Sequence, residues 1–194
     1  MGRDGSAPGC QGNTITTNRL RGRIDRSPHA SFPAMVAAVA QEISKVLSAC
    51  RALELAMADL YEELANLHSH APAMVRLWRK TAREELNHAA QFSLALEAMS
   101  EVIARPLAMP ADIESVRLMV EDLTDEFRRH RPPVREALSR AIDLEASMSK
   151  LHADRILVFT DPRCRLLFEA MMAADAGHVM SLQAALAQLG PVSP

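Results

Sequence analysis

Apolar residues recur along most of this chain at alternating steps of three and four, the period of an α-helix with one buried face. Four long segments follow the pattern, and we predict helices over residues 44 to 67, 72 to 100, 134 to 158 and 162 to 190. Pro72 and Pro162 stand at the first helical position, where the missing N–H costs no hydrogen bond. Asp161 would cap the fourth helix, and Gly190 would end it.

The connections between these segments indicate how the helices run. Only residues 68 to 71 separate the first two helices, which must therefore be antiparallel neighbours. Residues 104 to 133 are long enough to travel back along a helix, and they hold a shorter helix that Asp112 would cap. We expect this crossover to make the second and third helices parallel. The apolar residues 34 to 40 form either a separate short helix or an early start of the first long one.

Composition favours an all-α fold. Hydrophobic residues make up 48% of the chain but aromatic residues only 4%, glycine is scarce, and β-branched runs are absent. The length of 194 residues is enough for one domain with a sizeable core, which we assign to residues 31 to 194. The net charge of −2 gives no reason to expect nucleic acid, and no apolar run approaches the ~20 residues of a membrane span.

Residues 1 to 30 are polar, with four arginines between positions 19 and 26, and we expect a flexible basic arm. The arm lacks the apolar stretch of a secretory signal, which favours a cytoplasmic protein, with a targeting peptide as the alternative. Three cysteines stand far apart and form no Cys-x-x-Cys pair, which is consistent with a reducing compartment. They are Cys10, Cys50 and Cys164.

Each of the four predicted helices carries a carboxylate within its apolar seam. A buried carboxylate is costly unless it finds a partner or takes up a proton. In the second and fourth helices a histidine follows three residues later, on the same helix face. The six side chains are Glu54 in the first helix, Glu85 and His88 in the second, Glu145 in the third, and Asp175 and His178 in the fourth.

The two halves of the chain repeat the same spacing. Seven residues separate Glu54 from Tyr61 and Glu145 from His152, and thirteen separate Pro72 from Glu85 and Pro162 from Asp175. In a four-helix bundle the two repeats face one another, so the four carboxylates and two histidines should converge in the core. Tyr61 would lie beside these carboxylates and histidines as a hydrogen-bond donor or a one-electron relay, or be an ordinary core tyrosine. His152 would take the place of Tyr61 in the second half of the repeat.

Charge favours metal ions over salt bridges as the partners of these carboxylates. Four carboxylates bring −4, the seams offer no lysine or arginine at these levels, and two divalent ions bring +4. An oxygen-rich set with two nitrogens suits iron or manganese better than structural zinc. We therefore expect two ions of iron or manganese, or a mixed pair, and neither haem nor a nucleotide.

Two segments also carry a family resemblance. Residues Leu77 to His88, with Glu84-Glu85-Leu86-Asn87-His88, resemble the second helix of rubrerythrin-like proteins, and residues Leu167 to His178 resemble the fourth. The similarity covers residues 44 to 189 and implies a ferritin-like four-helix bundle with a helical crossover. It further implies that the six seam residues bind two metals, with Glu85 and Asp175 as candidates for bridging, and that the chain forms a homodimer.

The resemblance implies a di-iron protein that reacts with O2 or hydrogen peroxide in oxidative-stress or iron handling. Three departures qualify this expectation. Asp175 stands where the family usually has glutamate, and Met148 stands where rubrerythrins proper supply a further carboxylate. A four-cysteine electron-transfer module is absent from the sequence, so a separate donor protein would supply electrons. The alternatives are a di-iron oxygenase acting on an organic substrate and a non-catalytic storage, metal-binding or scaffold bundle.

Overall fold

Five helices account for most of the described residues in the computed structural model, which are 32 to 97, 103 to 106, 109 to 153, 157 to 159 and 162 to 190. The helices are α1 (Phe32–Leu67), α2 (Pro72–Glu97), α3 (Pro110–His130), α4 (Val134–Ala153) and α5 (Pro162–Gln188), and two short strands are β1 (Ile103–Pro106) and β2 (Leu157–Phe159). The prediction of an all-α protein is confirmed, with the strand pair as an addition to it. The predicted basic arm, residues 1 to 30, lies outside the described residues.

The first helix begins earlier than its buried seam. α1 is continuous over 36 residues, so residues 34 to 40 are an early start of this helix and not a separate one. Residues 33 to 42 are exposed, and burial of one face begins at Ile43. From there the predicted seam is buried throughout. Its apolar members are Leu47, Cys50, Met57, Tyr61 and Leu64.

The helices pack in the order that brings the acidic seams together. α1 lies along α2 and also contacts α3, α4 lies along α5, and α2 meets α5. α1 and α2 are antiparallel, because Arg51 donates to Ser93 near one end while Arg79 lies 3.8 Å from Glu62 near the other. A single apolar core runs through these contacts. Its largest fully buried side chains include Trp78, Phe92, Phe127, Leu138 and Leu182.

The crossover helix begins and ends differently from its prediction. Met109, not Asp112, is the N-cap residue of α3, and Asp112 lies in the first turn, where its negative charge still favours the helix N-terminus. Pro110 starts the helix because a proline there sacrifices no hydrogen bond. At the other end Arg131 adopts a left-handed conformation with φ 43° and its N–H donates to Phe127 O.

The third predicted helix ends earlier than its apolar pattern indicates. α4 stops at Ala153, and β2 pairs antiparallel with β1, with Ile103 opposite Phe159 and Pro106 opposite Leu157. Residues 157 to 158 therefore belong to this strand pair and not to the helix. α5 begins at Pro162 as expected and is followed by Gly190 with a φ of 68°. Asp161, the proposed cap, lies outside the described residues.

Candidate metal centre

Six acidic and imidazole side chains predicted from the seams come together where four helices meet. α1 contributes one, α2 two, α4 one and α5 two, because in each helix the step of three or four residues places them on the core-facing side. Their relative exposures lie between 0% and 3%. They are Glu54, Glu85, His88, Glu145, Asp175 and His178.

These side chains form two ligand sets that share one carboxylate. The first set, here called the His88 position, consists of Glu54, Glu85 and His88, and the second, the His178 position, consists of Glu85, Glu145 and His178. Within each set one ligand atom per residue lies within 4.8 Å of the others. Glu85 Oε2 is 3.0 Å from His88 Nδ1, and Glu85 Oε1 is 3.0 Å from His178 Nδ1. This carboxylate is therefore placed to bridge two cations.

The other three carboxylates divide unequally between the two histidines. Glu54 Oε2 lies 3.8 Å from His88 Nδ1, and Asp175 Oδ1 lies 3.6 Å from the same nitrogen. Glu145 Oε1 lies 3.7 Å from His178 Nδ1. The antiparallel contact of α2 with α5 thus brings Asp175 beside His88, although it shares a helix with His178. The two imidazole rings are near-parallel, with centroids 5.8 Å apart.

A seventh residue, Glu84, contacts the centre and was missed in the sequence. The remaining ring nitrogen of His178, Nε2, lies 3.1 Å from Glu84 Oε2. Lys80 Nζ lies 2.7 Å from both oxygens of the same carboxylate. In sequence Lys80 and Glu84 read as an ordinary exposed i,i+4 ion pair. The only available signal was the position of Glu84 directly before a core carboxylate, which does not reveal a contact with another helix.

Tyr61 lies beside the His178 position. It is fully buried, and its hydroxyl donates to Glu145 Oε1. Burial and the nearby Glu145 carboxylate raise the pKa of the Tyr61 phenol well above its usual value. Its ring stacks on Trp78 with centroids 5.8 Å apart. His152, predicted for the corresponding place, lies in α4, but its side chain falls outside the part of the chain that the structure describes.

The metal-free centre holds protons on its histidines. Burial acts to lower the pKa of His88, but contacts with Glu54 and Glu85 outweigh it and raise that pKa to about 10. The same balance, with Glu145 and Glu85 as partners, raises the pKa of His178 to about 10. Burial raises the pKa of Glu145 to about 7 despite the opposing contacts with His178 and Tyr61. The imidazolium groups therefore offset part of the carboxylate charge.

His68 lies in the turn after α1, where a histidine is normally solvated, yet it is buried. It is 3% exposed, with Nδ1 3.0 Å from Leu64 O and Nε2 2.9 Å from Pro132 O. The ring therefore joins the turn after α1 to the turn between α3 and α4. That second turn comes from a distant part of the chain, so no local pattern around His68 could indicate its burial.

The donor set fits divalent cations of the iron or manganese type. Each position offers two carboxylates and one imidazole, and such mixed oxygen and nitrogen ligands suit these metals. Two of the buried ligand atoms, Glu85 Oε1 and His178 Nδ1, lie 3.0 Å apart. A proton on this imidazole nitrogen holds the pair together, and a divalent cation would take the place of that proton.

Comparisons with known proteins do not assign the chain to a family: no family model, curated protein or solved structure matches it. Among the described helices, none combines the length and apolar character needed to cross a membrane.

Proposed function

We propose that this chain is a di-metal protein of the rubrerythrin-like type, which binds two iron or manganese ions in its core and acts on O2 or hydrogen peroxide. The observation that carries the proposal is the pair of buried ligand sets joined by the two oxygens of Glu85. A structural role alone does not explain four buried carboxylates, since replacing buried ions by apolar side chains is often neutral or stabilising.

The helix arrangement supports the finer proposal of a ferritin-like four-helix bundle. The four helices that contribute ligands are α1, α2, α4 and α5, while α3 contributes none of the six and connects the two helix pairs. Glutamate on two helices and carboxylate-x-x-histidine on the other two is the ligand arrangement known from such bundles. The repeat in sequence and the packing of its halves agree on this arrangement.

Two reduced metal ions would supply the electrons that reduce O2 or peroxide. The residues of the chain supply the surroundings for that reaction. Glu85 would contribute one carboxylate oxygen to each position, and burial of the whole set excludes bulk water. The Tyr61 hydroxyl donates to Glu145 Oε1 and so would orient that carboxylate toward its metal position. Glu84 binds the outer nitrogen of His178 and so orients that ring.

The proposal includes partners that the chemistry requires. A catalytic cycle that reduces O2 or peroxide needs electrons, and we assign their supply to a separate donor protein. We also assign the chain to the cytoplasm and to a homodimer. The buried free thiol of Cys50 is compatible with a reducing compartment.

Metal analysis of the full chain tests the proposal. Protein reconstituted anaerobically with ferrous ion and then desalted should retain two irons per chain. Glu85→Ala should lose most of that iron, because it removes the shared ligand, whereas Glu97→Ala, which removes an exposed carboxylate of the same helix, should retain it. No bound iron or manganese after reconstitution would refute the di-metal centre and favour a scaffold bundle. Stopped-flow absorbance after mixing the loaded protein with O2 or with peroxide then shows which of the two reacts.

A further inference from the structure

The two metal positions differ in what holds their histidines. A histidine binds a metal through one ring nitrogen, and the group that accepts a hydrogen bond from the other nitrogen fixes which one faces the metal. In His178, Nδ1 faces Glu85 and Glu145, and Nε2 lies 3.1 Å from Glu84 Oε2. Glu84 therefore retains the proton on Nε2, so the proton that a cation would displace is the one on Nδ1.

The internal repeat shows what is missing from the other half. His88 and His178 are equivalent at an interval of 90 residues, and the same interval relates Glu84 to Ala174 and Lys80 to Ala170. The contact from Glu84 to His178 runs from α2 to α5, and the antiparallel packing of these helices would bring residue 174 toward His88 in the same way. Alanine there provides no acceptor. The Lys80–Glu84 pair thus exists in only one half of the repeat.

Lys80 also fixes the carboxylate itself. Its Nζ lies 2.7 Å from both oxygens of Glu84, and the side chain of Glu84 is 33% exposed. A partly exposed glutamate would otherwise sample several rotamers, so this contact reduces the entropy lost when His178 is held in place. The result is a chain of contacts from the surface through Lys80 and Glu84 to the ring.

We propose that Lys80 and Glu84 make the two metal positions unequal, so that the His178 position binds a divalent cation first and the His88 position binds second. This inference rests on the proposed di-metal function. Glu84 acts as a positioning residue through His178 and is not itself a ligand. Removing such a hydrogen-bonding partner typically weakens metal affinity by about 10- to 100-fold.

Anaerobic titration of the full chain with cobaltous ion, followed by visible absorbance and calorimetry, tests the order of binding. The wild-type chain should show two events separated by at least about tenfold in affinity. His88→Ala should retain the tighter event and His178→Ala the weaker one. Glu84→Ala should weaken the first event by about 10- to 100-fold. Glu84→Gln, whose amide oxygen can still accept a hydrogen bond from Nε2, should keep most of the affinity that Glu84→Ala loses.

Two further variants separate a positioning role from a general effect of charge. Glu169→Ala removes an exposed carboxylate from α5 and should leave both events unchanged. Glu84→Ala combined with Ala174→Glu moves the acceptor to the other half, so the His88 position should now bind first. Melting of each metal-free variant confirms that it is folded.

The outcomes distinguish this inference from the proposed function. Two equal events in the wild-type chain, or a Glu84→Ala variant that weakens both events equally, would overturn the inference while the di-metal centre stands. Absence of any cobalt, iron or manganese binding would overturn both.

Discussion

Raising the pH should strengthen metal binding at the two positions by different amounts, because the cations displace different numbers of protons. His88 and His178 each have a pKa of about 10, so below that pH each cation must displace one imidazole proton. Apparent affinity then rises about tenfold per pH unit, or ~1.4 kcal/mol, at each position. The His178 position also includes Glu145, whose pKa of about 7 adds a second proton in acid solution.

These pKa values predict how much metal affinity each position gains between pH 6 and pH 8. The His88 position should gain about 100-fold in affinity, from two pH units at one proton each. Glu145 is about 90% protonated at pH 6 and about 10% at pH 8, which contributes a further factor of about 10. The His178 position should therefore gain about 1000-fold. Proton release on loading both positions should fall from about three per chain at pH 6 to about two at pH 8.

The stability of the metal-free chain should change in the opposite direction. In the folded chain the pKa values of His88 and His178 are raised above the ordinary 6.5 and that of Glu145 above the ordinary 4.5. At any pH between a group's ordinary pKa and its raised pKa, the folded chain therefore binds more protons than the unfolded chain. Together these three groups contribute most to the free energy of unfolding below pH 4.5. The contribution of Glu145 is lost as the pH rises from 4.5 to about 7, and the contributions of the two histidines are lost as it rises from 6.5 to about 10. The increase in melting temperature caused by metal should thus grow with pH.

Calorimetry with buffered manganous ion, in buffers of different ionisation enthalpy, measures both the affinities and the protons released. Melting curves with a chelator and with the ion, at pH 5 and pH 8, measure the stability change. A pH-independent affinity with no proton release would show that the histidines are neutral in the metal-free protein, and the charge balance described above would then be wrong.

Three substitutions test other parts of the structure. Gly177→Ala should raise the free energy of unfolding, measured by urea denaturation, by about 0.5–1 kcal/mol, because nothing lies within 4 Å of the added Cβ in the helix. Gly190→Ala should lower that free energy, because alanine is strained at a φ of 68°. A change of the same sign in both variants would contradict this reasoning. Tyr61→Phe removes the hydrogen bond that lowers the pKa of Glu145, so that carboxylate is protonated more often in acid solution. Metal affinity should therefore fall by about tenfold at pH 6.5 and change little at pH 9. An equal loss at both values would argue for a packing effect. His68→Ala removes a buried ring that lies 2.9 Å from Pro132 O and should cost about 1–3 kcal/mol, while the exposed His130→Ala should change stability by less than about 0.5 kcal/mol. Equal costs would contradict the burial of His68.

The sequence was sufficient where helical period alone decides burial. Glu85 and His88 were assigned to the seam of the second helix by their spacing of three residues, and both are buried in α2. The period could not show where α4 ends, because the strand pair that follows it joins residues more than 50 positions apart. It could not find Glu84 either. A carboxylate beside a seam is normally solvated, and only the approach of α5 brings His178 to it.

Charge explains how this core can fold before it holds metal. Four carboxylates bring a formal charge of −4, and the raised pKa values of His88, His178 and Glu145 place protons beside them that offset part of this charge near pH 7. Two divalent ions bring the same four carboxylates to zero after the protons leave. Protons therefore serve as partial counterions during folding, and metal later replaces them with better neutralisation. The chain need not meet its metal during folding, and proton concentration then competes with metal for the finished site.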